Sequence, residues 1–177
     1  AGGVGHIAVQ LAKAFGAEVV ATVSADKRHI VEKFGATPID YRTLSPEQYV
    51  EVHTQGQGFD VVYDTVGGAT IDASFASIKR YTGHAVSCLG WSTHSLAPLS
   101  FRGATYSGVF TLMPLLTGLS QAHHGAILRE VAALADSGKL RPLVNAQRFS
   151  FSSGSADIDA AYALVESGPL GKVVVEL

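Results

Sequence analysis

The densest group of chemistry-bearing residues stands at the start of the chain, where Gly2, Gly3, Val4 and Gly5 directly precede a helical apolar pattern. At such a place the N–H groups of a first helical turn and the positive end of the helix dipole attract an anion. Glycines allow close approach because no Cβ holds the backbone away, and pyrophosphate is the natural guest. The same run also suits an ordinary tight turn into a helix. Further along, at about 20 residues from the glycines, a dinucleotide fold holds its adenosine ribose; Ser24, Lys27 and Arg28 stand there. An acid at that strand end would accept both ribose hydroxyls, but Val23 or Ser24 occupies the position. Asp26, the nearest acid, falls in the first turn of the next helix, where stabilising the helix dipole explains it. A hydroxyl beside cations suits a 2′-phosphate, the group that separates NADP from NAD, and Tyr41 fits the same role. The alternative is that Lys27 and Arg28 are solvated helix residues and Tyr41 a strand-end aromatic.

These residues need a scaffold, and the hydrophobic pattern supplies one. Val4, Ile7, Ala8, Leu11, Ala12 and Phe15 recur at helical spacing before Gly16. Val19 to Val23 reads as a strand buried on both faces, and Ser24 offers an N-cap to a helix that stops at Gly35. A strand at Thr37 to Tyr41 completes a βαβ rhythm of about 20 residues per unit. It continues through a helix at Pro46 to His53, a strand at Phe59 to Tyr63, a helix at Ala69 to Lys79 and strands at Ala85 to Leu89 and Ala104 to Phe110. A helix over Ala126 to Ser137 follows. After Gly138 the pattern gives strands at Leu140 to Val144 and Gln147 to Phe151, a helix at Ala156 to Glu166 and a strand at Lys172 to Leu177. The expected fold is α/β, a doubly wound parallel sheet of the Rossmann kind, divided near Gly138 into residues 1–138 and 139–177.

Composition narrows the function. Hydrophobic residues make up 47% of the chain and charged residues 16%, the profile of a buried globular fold. The net charge of -2 is spread without a basic run, so nucleic acid and anionic membrane partners are not expected. The longest apolar stretch, Gly108 to Leu119, is interrupted by Pro114 and Gly118 and is too short to span a bilayer. The single cysteine, Cys88, has no partner for a disulfide or a zinc motif, which fits a reducing cytoplasm. The seven histidines, adjacent His123 and His124 included, show no metal spacing, so no metal is assigned; they read as surface or helix-start residues. No nucleophile elbow appears, and hydrolase chemistry has no support.

The opening glycines with Ile7 to Lys13, the phrase Ile39-Asp40-Tyr41-Arg42, the phrase Val61 to Gly68 and the closing Gly171-Lys172-Val173-Val174 together resemble the zinc-free, quinone-oxidoreductase-like branch of the medium-chain dehydrogenase/reductase superfamily. The resemblance implies an NADP(H)-binding domain fused to a GroES-like catalytic domain that is not in this chain, with residues 139–177 docking on it. It also implies a first strand ahead of the glycines, which this sequence lacks. By the same resemblance, Lys27 and Tyr41 contact the 2′-phosphate, Val66 and Gly67 approach the nicotinamide ribose, and the backbone of Cys88, Leu89 and Gly90 meets the nicotinamide. Val109, Phe110 and Thr111 would hold the carboxamide and wall the substrate pocket. Asp64 either reaches the ribose or orients its own turn. Cys88 reads as a small buried hydrophobe making contact, not as a nucleophile. The implied reaction is hydride transfer from NADPH to a quinone, an enone or another activated carbonyl, without an acid residue from this chain. An isologous dimer with a sheet edge near Ala104 to Phe110 is implied as well. Three rivals remain open: a zinc-dependent alcohol dehydrogenase with its metal in the other domain, a non-catalytic NADPH-binding protein, and another nucleotide-fold enzyme such as a methyltransferase. In the last, Lys27 and Tyr41 would have no phosphate to meet.

Overall fold

The computed structural model describes residues 2–177; Ala1, which opens the glycine motif, lies outside them. The chain forms two compact units, one of residues up to Pro38 together with Ala126–Leu177, the other Ile39–Gly125.

In the first unit, α1 (Gly5–Ala14) leads to β1 (Val20–Val23), a single 3-10 turn (Ala25–Lys27) and α2 (Arg28–Lys33). The short strand β2 (Thr37–Asp40) pairs with β1. The apolar positions that predicted these elements do the packing: Val23, Val31 and Ala36 are buried together, with Val9, Val19 and Ala21 against them. Ser24 is the N-cap residue by position, but its side chain makes no capping bond. The expected cap therefore fails, because a 3-10 turn is closed by the backbone bond from Lys27 N–H to Ser24 O at 3.0 Å. After α7 (Gln121–Asp136) come β6 (Val144–Ser150), α8 (Ser155–Glu166) and β7 (Lys172–Glu176). Strands β6 and β7 pair in parallel with an irregular register between Val144 and Arg148. That irregularity lies inside the one strand that the sequence pattern divides into two.

The second unit holds α3 (Pro46–Thr54), β3 (Val61–Asp64), α4 (Ala69–Ser77), β4 (His84–Ser87), α5 (Ala97–Arg102), β5 (Thr105–Gly108) and α6 (Met113–Thr117). Strands β3, β4 and β5 form one parallel sheet in that order. Helix α3 starts with a full capping box between Ser45 and Gln48. Helix α4 ends two residues earlier than its apolar pattern suggests, because Ile78 turns extended and bridges to Phe59. The core is Ile71, Phe75, Ile78, Ala85 and Leu99, with Val62 and Ala104 packed on it. Helices α5 and α6 have five or six residues each, too few for a periodic signal, so the sequence pattern misses them.

The architecture is thus α/β with parallel sheets, as expected. The strands form three short sheets, β1–β2, β3–β4–β5 and β6–β7.

Candidate functional site

Within the first unit the glycine loop runs straight into α1, with Val4 as N-cap. A Cβ on Gly3 would stand 3.3 Å from Lys172 Nζ, so the ammonium of β7 lies against the loop at the positive end of the helix. In the sequence Lys172 is only part of a closing motif; the fold brings its ammonium against the loop. His6, called a helix-start histidine by its position, is 1% exposed. Its Nε2 accepts from Leu143 N–H at 3.1 Å, which requires the neutral ring with Nδ1–H donating to Gly2 O at 2.8 Å. One helical turn on, buried Gln10 donates to Arg141 O at 3.1 Å and accepts from Arg141 N–H at 2.8 Å. Lys172 N–H donates to Leu143 O at 2.8 Å. The loop, α1 and β7 are therefore stitched through residues 141–143.

Lys27 extends from the 3-10 turn and donates to Gly168 O at 2.9 Å. A lysine ammonium has three donors, so this bond steers the side chain and leaves capacity for a phosphate. Arg28 is exposed, and no carboxylate residue occupies Val23 or Ser24.

In the second unit, parallel register places Asp64 beside Ser87 at the carboxyl ends of β3 and β4, where doubly wound folds bind ligands. Asp64 is 6% exposed and anchors both following loops. Its carboxylate accepts from Val66 N–H at 3.3 Å, Gly67 N–H at 3.0 Å, the Thr70 hydroxyl and the Ser87 hydroxyl at 2.7 Å. Ser87 Oγ in turn accepts from Leu89 N–H at 3.1 Å. Of the two roles open to Asp64, the structure supplies full employment in the turn. Gly67 sits at φ +81°, and a Cβ there would lie 2.6 Å from Leu89 O. Val66, Gly67, Cys88 and Leu89 are thus brought together, with Cys88 N–H donating to Asp64 O at 3.3 Å.

A Cβ on Gly90 would overlap the Tyr106 hydroxyl, so any larger residue there would require that ring to move. Val109 N–H donates to Ser87 O at 2.8 Å, which brings residues 109–111 to the same sheet end. Phe110 packs edge-on to Trp91 with centroids 5.1 Å apart; Trp91 carried no sequence signal. Tyr63, on β3, is pushed up to about 12, first by desolvation and then by the Cys88 thiol and the Asp64 charge. Tyr41 follows β2 directly and is exposed, with the Arg42 guanidinium 5.7 Å from its ring centroid. Among the described residues no group of three or more His, Cys, Asp or Glu side chains could hold a metal. No helix of these residues is long and apolar enough to cross a membrane.

Comparison with known proteins places this geometry. Residues 3–120 match the family model described as zinc-binding dehydrogenase. An alcohol dehydrogenase superfamily protein from Novosphingobium aromaticivorans is 50% identical with a TM-score of 0.90, over 98% of this chain and 52% of that one. The quinone oxidoreductase of Escherichia coli, solved as a complex with NADPH, is 27% identical with a TM-score of 0.80, over 100% of this chain and 55% of that one. The mitochondrial NAD(P)H oxidoreductase RTN4IP1 of Mus musculus is 33% identical over 99% of this chain and 46% of its own length. The chain spans about half the length of these relatives. The zinc in the family's description finds no ligand set among the described residues. With this α/β fold and glycine loop, the chain belongs to the zinc-binding dehydrogenase family, with quinone oxidoreductases of the medium-chain superfamily among its neighbours.

Proposed function

We propose that this chain is the cofactor-binding part of an NADPH-dependent oxidoreductase that reduces a quinone, an enone or another activated carbonyl or alkene. The observation that carries the reading is the cradle at Gly3: a side chain there would fill the space between the α1 start and Lys172 Nζ, and that space suits a pyrophosphate. NADPH, when bound, supplies the hydride. The residues of this chain bind and orient it. Gly2, Gly3, Val4 and Gly5, with Lys172, hold the pyrophosphate; Ser24, Lys27 and Tyr41 hold the 2′-phosphate. Val66 and Gly67 border the ribose, Cys88, Leu89 and Gly90 border the nicotinamide, and Val109, Phe110 and Thr111 wall the substrate side and exclude water. The NADPH complex of the Escherichia coli relative supports the choice of cofactor.

On this reading residues 1–138 are the dinucleotide-binding domain and residues 139–177 dock on a GroES-like catalytic domain encoded elsewhere in the protein. Strand β5 is an edge strand with every residue exposed, and Val109, Phe110, Leu112 and Met113 beyond it are between 39% and 48% exposed. An apolar edge of that kind supports an isologous homodimer extended through β5. The lone Cys88 supports a reducing compartment, the cytoplasm. The family's description favours one second reading, an alcohol dehydrogenase whose zinc is held by the catalytic domain; metal analysis of the whole protein separates the two.

The test is a side-by-side fluorescence titration of the whole protein with NADPH and NADH. Tighter NADPH binding, lost in Lys27→Gln, is expected; equal or reversed preference would sink the NADP assignment. Gly3→Ala should weaken both cofactors about tenfold while leaving the unfolding midpoint nearly unchanged, because only the end of the flexible Lys172 side chain must move.

A further inference from the structure

The first unit holds a second feature that the dinucleotide reading does not use. The C-terminal ends of α1 and α2 and the residues just after α7 line a concavity of about 460 Å³. Lys13, Lys33, Lys139 and Arg141 all line it, and no carboxylate residue does. The whole chain has 13 Lys and Arg against 15 Asp and Glu, so four cations around one hollow without an acid are a local excess.

Cations near helix C-termini have an ordinary explanation, since they offset the negative dipole end. Here the backbone already closes those ends. Gly16 N–H donates to Lys13 O and Ala17 N–H to Ala12 O; Gly35 N–H donates to Glu32 O and Ala36 N–H to Val31 O; Gly138 N–H donates to Ala135 O and Lys139 N–H to Leu134 O. Gly16, Gly35 and Gly138 all adopt positive φ to do so. None of the four cationic side chains has a hydrogen bond or ion pair among the described residues. Three dipole ends carry together at most roughly -1.5 charges, so the four cations leave an excess of roughly +2.5.

The cations are also placed. The Lys13 stem crosses Gly35, with Cε 3.6 Å from where a Cβ would stand, and the Arg141 guanidinium folds over Gly138, with Nη2 at 3.5 Å. Buried Gln10 fixes the Arg141 backbone through two hydrogen bonds. Phe34 and the lysine stems add apolar wall. The volume falls in the range of small-molecule sites, and an arginine fork among lysines matches phosphate oxygens.

We propose that this concavity binds a small phosphate-bearing molecule with at least two negative charges. It is a separate site from the glycine loop, because the ten residues of α1 put about 15 Å between the two helix ends.

The experiment is a calorimetric titration of the whole protein, saturated with NADPH and at low ionic strength, with pyrophosphate. One saturable site is expected, weakened roughly tenfold by Lys33→Gln or Lys139→Gln and further by the pair, with NADPH affinity and the circular dichroism spectrum unchanged. A parallel arm uses phosphatidylcholine vesicles with and without phosphatidylinositol bisphosphate. Binding to the phosphoinositide vesicles alone, lost in the same variants, would assign the phosphates to a lipid headgroup. A protein that takes up no NADPH is titrated with pyrophosphate directly, and loss in the two lysine variants still assigns the binding to this concavity. No saturable binding below millimolar concentration in either arm, or binding that both variants retain, overturns the proposal.

Discussion

Removing the Asp64 carboxylate should dismantle the ends of two strands at once. In Asp64→Ala, the Ser87 hydroxyl, 2% exposed, loses its acceptor, and Gly67 N–H loses both carboxylate oxygens. Thr70 keeps its bond to Gly67 O at 2.9 Å, so it contributes less. Two orphaned donors at about 1–3 kcal/mol each give a loss of roughly 3–4 kcal/mol, once the relief of not burying a charge is counted. Asp64→Asn keeps one acceptor but turns an amide N–H₂ toward donors, and should lose about half as much. With an m-value of about 2 kcal/mol/M, urea unfolding of the whole protein should show the Ala variant's midpoint falling by about 1.5–2 M and the Asn variant's by about half that. The same variants should bind NADPH more weakly, because the carboxylate holds the turn at Val66 and Gly67 directly and the Leu89 backbone through Ser87. A loss under about 1 kcal/mol for Asp64→Ala would refute the reasoning that this carboxylate organises the strand ends.

Gly67→Ala should cost more than about 3 kcal/mol and weaken NADPH binding, because its Cβ would meet Leu89 O at a positive φ; Gly68→Ala, in open space but at φ +60° and ψ -135°, a conformation reserved almost wholly to glycine, should cost about 1–3 kcal/mol from strain alone, and urea unfolding of the pair separates clash from strain. Because Tyr63 is raised to about 12, its neutral phenol stabilises the fold fully below about pH 10, and that contribution is lost as pH rises from about 10 through 12, where the unfolded chain ionises first. A phenolate absorbance titration should show the last-ionising tyrosine missing in Tyr63→Phe; a variant curve that differs only among the early-ionising tyrosines refutes it. His6→Ala should cost about 3 kcal/mol by emptying a buried site and orphaning Leu143 N–H, with thermal unfolding as the readout and no change in midpoint as the contrary result.

Much of the fold was legible because it rests on local physics. Val19 to Val23 and Thr37 to Tyr41 announce strands through β-branched runs, and Gly16 and Gly35 stop helices by adopting the left-handed region. Helices α5 and α6 were not legible, since each spans less than two turns and no period can be counted in them. The Ser24 cap was misread because position alone cannot say which of backbone or side chain closes a 3-10 turn.

Residues close together in the chain were enough to reveal the α/β alternation, the glycine loop ahead of a helix, and the lack of an acid at Val23 or Ser24. Packing of distant segments sets Lys172 against Gly3, lets buried His6 and Gln10 hold residues 141–143, consumes Asp64 in its turn and rings one hollow with four cations. Those pairings join residues as far as 169 positions apart, Gly3 and Lys172 being the extreme. Local propensity carries no information about which distant side chain will be brought near; chain topology and packing choose it.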